Sequence, residues 1–247
     1  SIKKKIYEPN AEEIALTYND LGIMSYRLGE IYKSLEYFLK SSEIIKKYKN
    51  ENTAEVFNNL GSIYTELGFF KKADSFLQKG SEINKRIFGV DSDNYAISLN
   101  YIGKNYVVQE IFSEGKKYFN EALNIFNKNN SKDYENISVV LQNLGYIYIY
   151  DGEYDEAVNT FLKAIETLEK NKEFELEIFN TIKNNLALTY IYQGKYKKAE
   201  LIYLEILEDP KKDSFNIENL SYFSNLALLY NHLGSYVKAE KIHLNIL

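Results

Sequence analysis

The sequence predicts an all-α protein built from a tandem array of helix pairs, and two observations support this prediction. First, the pattern N-L-[GA]-x-x-Y, followed after a short gap by G-x-[YF]-x-x-A, recurs six times with small variations in the 247 residues. Second, the small residue after the Leu recurs at steps of 39, 42, 42, 42 and 40 residues, at Gly22, Gly61, Gly103, Gly145, Ala187 and Ala227. A near-constant period of this size is typical of repeat arrays, in which each repeat packs mainly on its neighbours.

The first half of each repeat predicts one amphipathic helix, here called helix A. If the small residue after the Leu is numbered position 8, apolar or aromatic residues recur at positions 4, 7 and 11, as in Phe57, Leu60 and Tyr64. This spacing places them on one face of a helix. Position 15 is glycine in five repeats, at Gly29, Gly68, Gly152, Gly194 and Gly234. Because glycine readily adopts the left-handed conformation that ends helices, helix A is predicted to end there.

The second half of each repeat predicts a second helix, here called helix B. Position 17 is aromatic or Ile, at Ile31, Phe70, Phe112, Tyr154, Tyr196 and Tyr236. Position 20 is small, at Ser34, Ala73, Gly115, Ala157, Ala199 and Ala239. A glycine inside a helix costs about 1 kcal/mol relative to alanine, so its repeated use at position 8 indicates a close contact between helices A and B.

These repeats resemble the tetratricopeptide repeat family over essentially the whole chain. The period near 42 and the paired asparagines Asn58-Asn59 and Asn184-Asn185 are similar to the kinesin-light-chain type of repeat. The resemblance implies a right-handed superhelical solenoid of antiparallel helix pairs, in which helix A lines the concave groove. Because this scaffold serves unrelated partners, the fold alone names no ligand.

The register divides the chain into one partial repeat and six further repeats. Residues 1–13 are predicted to end a preceding, truncated repeat, because Ile2 to Gly22 align without a gap with Ile83 to Gly103. The repeats that follow are predicted at 14–51, 52–91, 92–131, 132–172, 173–213 and 214–247, the last truncated in its helix B. We therefore expect the working protein to extend in both directions, and the uncapped ends to permit end-to-end self-association.

The resemblance also implies that positions 2, 5, 6, 9, 12 and 13 of helix A face the groove. The candidate peptide-binding residues taken from these positions are Asn19, Tyr26, Asn58, Asn59, Asn100, Tyr101, Lys104, Asn143, Tyr146, Tyr150, Asn184, Asn185, Leu188, Tyr192 and Asn225. They combine amides with aromatic and apolar side chains.

The asparagines have two possible functions. An amide both donates and accepts hydrogen bonds, so a row of amides could bind the main chain of an extended peptide. Alternatively, each amide bonds to the neighbouring helix A and holds adjacent repeats in register. Only Arg27 and Lys104 supply positive charge at these positions, which disfavours a clamp for a terminal carboxylate and the binding of acidic cargo peptides.

Composition excludes several other classes of function. A net charge of −5 with no long Lys/Arg stripe disfavours a nucleic-acid partner. The absence of cysteine excludes disulfides, thiolate catalysis and Cys-based zinc sites, and no apolar run is long enough to predict a membrane helix. The two histidines, His232 and His243, have no further ligands near them in sequence, so we predict no metal, no cofactor and no catalytic residue.

The sequence therefore predicts a cytoplasmic, non-enzymatic scaffold that binds a protein or peptide in its groove. The alternative is a sensor or regulatory arm of a larger protein whose protease, NTPase or transcriptional-regulator domain lies outside these residues. The sequence of the complete open reading frame would distinguish between these two hypotheses.

Overall fold

A computed structural model describes residues 10–207 and 220–246 of the chain. Within these ranges the chain forms twelve α-helices and no strand. The helices are α1 (Ala11–Arg27), α2 (Ile31–Ile45), α3 (Glu51–Glu66), α4 (Phe70–Phe88), α5 (Asp93–Val108), α6 (Phe112–Lys128), α7 (Tyr134–Tyr150), α8 (Tyr154–Leu168), α9 (Leu176–Tyr192), α10 (Tyr196–Leu207), α11 (Leu220–His232) and α12 (Tyr236–Ile246). They fall into two compact units, residues 1–131 with α1 to α6 and residues 132–247 with α7 to α12.

The predicted all-α architecture of paired helices is confirmed. Odd-numbered helices are the predicted A helices and even-numbered helices are the predicted B helices, and each B helix begins at position 17. Within each unit, every A helix packs on the B helix of its own repeat, and that B helix packs on the A helix of the next. Adjacent A helices also contact each other, as in the pairs α3–α5 and α7–α9.

The repeat boundaries remain a prediction: each predicted repeat corresponds to one helix pair, but α1 begins three residues before residue 14 and α3 begins one residue before residue 52. The preceding helix B that the sequence predicts at residues 1–7 lies outside the described residues. Within the described ranges, no helix combines the length and the apolar character needed to cross a membrane.

The turn between helices A and B is a left-handed cap of constant geometry. In the first repeat Gly29 has a φ of 75°, and the Glu30 N–H donates to the Ser25 carbonyl at 2.9 Å. This backbone bond, together with one from Gly29 to Tyr26, closes the end of helix A. The third repeat has Glu110 at the glycine position, and its φ is nevertheless 61°. Tertiary packing therefore imposes the left-handed turn on a residue that disfavours it.

Replacing Glu110 with glycine should stabilise the protein. Glycine adopts φ near 61° without steric cost, so Glu110→Gly should raise the free energy of unfolding by about 1 kcal/mol. Chemical denaturation measures this change. Glu121→Gly is the matched control: it makes the same change inside α6 and should lower stability by about 1 kcal/mol. Destabilisation by both variants would contradict the account.

In the first four helix pairs, position 8 of helix A packs directly against position 24 of helix B. A Cβ atom added at Gly22, Gly103 or Gly145 would lie 2.6 to 2.7 Å from the ring of Phe38, Phe119 or Phe161. At Gly61 it would lie 2.5 Å from Leu77. All four partner side chains are buried. Glycine at position 8 thus lets helix B place a large apolar side chain directly on the backbone of helix A.

Enlarging this position should destabilise the fold. Gly145→Leu overpacks the contact with Phe161 and should cost about 1 to 3 kcal/mol or more in stability, measured by thermal melting. Tyr146→Leu, at the next and exposed position of α7, is the control and should melt close to the parent. A Gly145→Leu protein that melted like the parent would show that this register is wrong.

Candidate peptide-binding surface

In the first unit, the asparagines at position 5 are buried between neighbouring A helices. Asn19, Asn58 and Asn100 all have little contact with solvent. The Asn19 amide donates to Glu55 Oε1 at 3.0 Å, and the Asn59 amide donates to Asn19 Oδ1 at 3.1 Å. These bonds join α1 to α3, because Asn19 lies on α1 and the other two residues lie on α3. Their side chains therefore act between repeats, which agrees with the second function considered for the asparagines.

The same pattern links α3 to α5. The Asn58 amide donates to Ser98 Oγ at 3.4 Å, and the Thr65 hydroxyl donates to Asn105 Oδ1 at 3.0 Å. Both bonds are buried and both partners lie one repeat apart. Asn58 Oδ1 is buried with no hydrogen-bond partner among the described residues, next to the position that a Cβ on Gly80 would occupy.

Two other candidate residues of the first unit meet at one carboxylate. The Tyr26 hydroxyl donates to Glu66 Oε1 at 2.6 Å, and Lys104 Nζ lies 3.5 Å from the same oxygen. Glu66 occupies position 13 of α3, so it connects the first repeat to the third. Lys104 is thus already paired with an acid, which further weakens any clamp for a carboxylate.

Tyr101 borders a polar cavity of about 380 Å³ between α3 and α5. Glu51, Glu55, Asn58 and Asn94 also line it. Burial raises the pKa of the Tyr101 hydroxyl, and the nearby negative charge of Glu55 raises that pKa further. The hydroxyl is therefore a hydrogen-bond donor at neutral pH.

In the second unit, an inter-repeat amide bond recurs between the last two A helices. The Asn225 amide at position 6 of α11 donates to Asn184 Oδ1 at position 5 of α9, at 2.8 Å. Asn59 and Asn19 form the equivalent bond in the first unit. Asn143 and Asn185, also at position 6, are half-buried. The Asn185 amide forms no side-chain hydrogen bond within the described residues. Asn143, in contrast, interacts with another residue.

The second unit exposes a set of aromatic side chains on its A helices. The exposed fractions are 45% for Tyr146, 56% for Tyr150 and 51% for Tyr192. Leu188, half-buried, lies one turn before Tyr192 on α9. Positions 6, 9 and 13 follow each other along one stripe of a helix, so Asn185, Leu188 and Tyr192 share a face. This surface, comprising Asn143, Tyr146, Tyr150, Asn185, Leu188 and Tyr192, is called the tyrosine face below.

Stacking between repeats holds part of the tyrosine face in place. The Tyr192 ring stacks on Tyr154, at the start of helix B of the preceding repeat, with centroids 5.6 Å apart and an interplanar angle of 22°. One repeat further on, Tyr196 stacks on His232 at 6.0 Å and 9°. Both pairs join position 17 of one repeat to position 13 of the next. Sequence analysis missed this pairing, although the recurrence of aromatic residues at both positions is its signal.

The described residues contain no candidate metal-binding site. Within them, no three His, Cys, Asp or Glu side chains come together in a way that could hold an ion. His232 stacks on a tyrosine ring and His243 is exposed.

Paired helices with a left-handed turn, repeated about every 42 residues, define a helical-repeat protein. The family profile of the tetratricopeptide repeat matches residues 13–86 and 108–170, and a second tetratricopeptide profile matches residues 181–209. The chain therefore belongs to the tetratricopeptide repeat family. No curated protein is significantly similar in sequence to this chain.

Solved structures of several different proteins have the same fold. BtubC (BKLC) from P. vanneervenii is 17% identical with a TM-score of 0.67, and the match covers 95% of this chain and 89% of that one. TPR-like repeats of Podosopora anserina, described as those of a kinesin light chain, are 14% identical with a TM-score of 0.57, over 81% and 95%. NprR in complex with its cognate peptide NprX is 16% identical with a TM-score of 0.72, over 96% and 66%. These neighbours establish a helical solenoid of the tetratricopeptide type.

Removing an inter-repeat amide should lower stability. Asn59→Ala leaves Asn19 Oδ1 without its donor, and should reduce the free energy of unfolding by about 1 kcal/mol. A double-mutant cycle with Asn19→Ala isolates the pairwise energy, which should favour the native pair. Asn159→Ala, at an exposed position of α8, is the control and should change stability little. An Asn59→Ala protein as stable as the parent would contradict a function in holding the repeats together.

Proposed function

We propose that this chain is a protein-interaction scaffold that binds a peptide, or an extended segment of a partner protein, on the tyrosine face. The observation that supports this most directly is the exposure of Tyr146, Tyr150 and Tyr192, each close to half accessible. Single exposed aromatic rings are common on protein surfaces, but several grouped on one face mark an interaction site. Such rings supply large contact areas at binding surfaces.

The chemistry of the face fits an extended peptide. Tyrosine rings and Leu188 offer apolar contact area for side chains, while tyrosine hydroxyls and the Asn185 amide offer donors and acceptors for a main chain. A peptide main chain presents both groups at every residue, so recognition of this kind tolerates many sequences. The apolar contacts with the tyrosine rings and Leu188 would then select among peptide sequences.

Preorganisation favours binding by this face. Tyr154 already restricts one side of the Tyr192 ring, while the ring stays half exposed. A ligand that packs on the other side therefore loses less side-chain entropy than it would on a free ring. The asparagines of the first unit are different, because Asn19, Asn58 and Asn59 bond to neighbouring repeats.

A regulatory function is the second candidate. NprR was solved with its cognate peptide and, in an apo form, as a quorum sensor from B. thuringiensis; the matches cover 96% of this chain but 66% and 76% of those chains. By analogy, this chain would be the peptide-sensing arm of a larger regulator. Because the identity is only 16%, the analogy rests on the fold.

The same proposal includes the remaining expectations from the sequence. Tetratricopeptide repeats are in general non-catalytic scaffolds, so we infer a binding protein and no enzymatic activity. We further infer a cytoplasmic location, with proteins or peptides as partners in preference to nucleic acids or membranes. The net charge of −5 supports the exclusion of nucleic acids.

Replacing the exposed tyrosines should abolish peptide capture without unfolding the protein. Peptides selected from a random library on the parent would be labelled and titrated by fluorescence anisotropy. The double variant Tyr146→Ala and Tyr192→Ala should bind at least about tenfold more weakly, because exposed aromatic anchors dominate such interfaces. Its thermal melting should stay within a few degrees of the parent.

Tyr32→Ala is the matched control, because Tyr32 is 76% exposed on a B helix of the first unit. This variant should bind like the parent. Equal affinity for the double variant and the control would contradict binding on the tyrosine face. Loss of binding in Asn59→Ala alone would move the site to the first unit.

A further inference from the structure

The first unit contains a cavity bordered mainly by its B helices. This cavity, of about 610 Å³, lies between α2 and α4, with part of α3 at its base. None of the candidate peptide-binding residues lines it, since those residues belong to the groove positions of the A helices. Its volume falls within the range of about 300 to 1,000 Å³ that is typical of small-molecule sites.

The base of the cavity is apolar and aromatic. Phe57 and Phe76 lie edge to face with ring centroids 5.6 Å apart, and Leu39 and Ile83 extend this surface along the two helices. Phe57 and Ile83 are buried, while Leu39 is exposed. A ligand that covered Leu39 and the Phe76 ring would remove apolar surface from water.

The rim of the cavity is basic. Lys46, Lys49, Lys79 and Arg86 lie on it, against the two acids Glu43 and Glu82. This local excess of positive charge occurs in a chain whose net charge is −5. An anion is therefore attracted to this rim.

Contacts within the protein hold two of these cations at the rim. Arg86 donates through Nη2 to the Lys49 carbonyl at 2.7 Å, which anchors one side of the guanidinium. Lys79 Nζ lies over the Phe76 ring, 5.3 Å from its centroid. The remaining donors of the guanidinium fork suit a carboxylate, and the ammonium group lies directly above the apolar base.

This arrangement is particular to the first two repeats. One repeat further along, the position of Leu39 is taken by Gln78 and that of Lys79 by Glu121. In the second unit the positions of Lys46 and Lys79 are taken by Glu169 and Glu205. The combination of an apolar base and a basic rim is therefore not a consequence of the repeat architecture.

We propose that this cavity binds a small amphiphilic carboxylate, meaning a molecule with an alkyl or aromatic body and one anionic head. The body would pack on Phe57, Phe76 and Leu39, while Arg86 and Lys79 would hold the carboxylate at the rim. Such a ligand matches both halves of the site, whereas an apolar alcohol satisfies only the base and an inorganic anion only the rim. The site is independent of the tyrosine face and of the function proposed for it.

The test is isothermal titration of the full chain with decanoate and with decyltrimethylammonium, which also has a ten-carbon chain but carries the opposite charge. Decanoate should bind, and the cationic amphiphile should bind at least about tenfold more weakly. Lys79→Glu, which introduces the residue of the next repeat, and Arg86→Gln should each weaken decanoate binding by about tenfold or more. Circular dichroism verifies that each variant is folded.

Lys71→Glu is the matched control, because it makes the same charge change at an exposed position of α4 away from the cavity. It should bind decanoate like the parent. The proposal is wrong if decanoate does not bind at millimolar concentration, or if both amphiphiles bind equally. It is also wrong if Lys71→Glu weakens binding as much as Lys79→Glu and Arg86→Gln do. Arg86→Gln, which removes no packed side chain, decides the question if Lys79→Glu is unstable.

Discussion

The contact between position 8 and position 24 is the constraint on which the arrangement of the first four helix pairs depends. Gly145 accepts the Phe161 ring where any Cβ would lie 2.7 Å from it, and three other repeats make the same contact. Together with the left-handed turn at position 15, this contact sets the angle and separation of helices A and B. Within the first unit, where all three repeats make this contact, equivalent side chains of successive A helices come out on the same side.

Side chains on the exposed edge of the A helices have two functions: some hold adjacent repeats together, and others remain accessible for binding. Positions 5 and 6 lie where adjacent A helices approach, so their amides meet each other, as Asn59 meets Asn19 and Asn225 meets Asn184. In the second unit, side chains at positions 9 and 13 stay accessible, as at Tyr146 and Tyr192, whereas in the first unit Lys104 and Glu66 at these positions pair with each other. Holding the repeats in register and presenting a binding surface therefore involve neighbouring residues of the same helix.

The sequence predicted the helix pairs well because their determinants are local and repeated. Every B helix begins at position 17, and the glycines at position 15 adopt the positive φ that the pattern implied. Glu110 breaks the glycine pattern but keeps the turn, since packing on both sides overrides its own preference. The site was harder to predict. An asparagine amide suits a peptide and a neighbouring helix equally, and the partner of Asn19, Glu55, lies in another repeat. The stack of Tyr192 on Tyr154 depends on the distance between repeats, which a single repeat does not encode.

The most direct test of this division is hydrogen exchange at asparagine side-chain amides, followed by NMR on the 15N-labelled protein. The Nδ2 protons of Asn59 and Asn225 donate to the neighbouring repeat, so their exchange should be slowed relative to a free amide. The Asn185 amide, which has no side-chain partner within the described residues, should exchange like one open to water. Equally fast exchange at all three residues would contradict the account, because it would mean that the amides do not hold the repeats together.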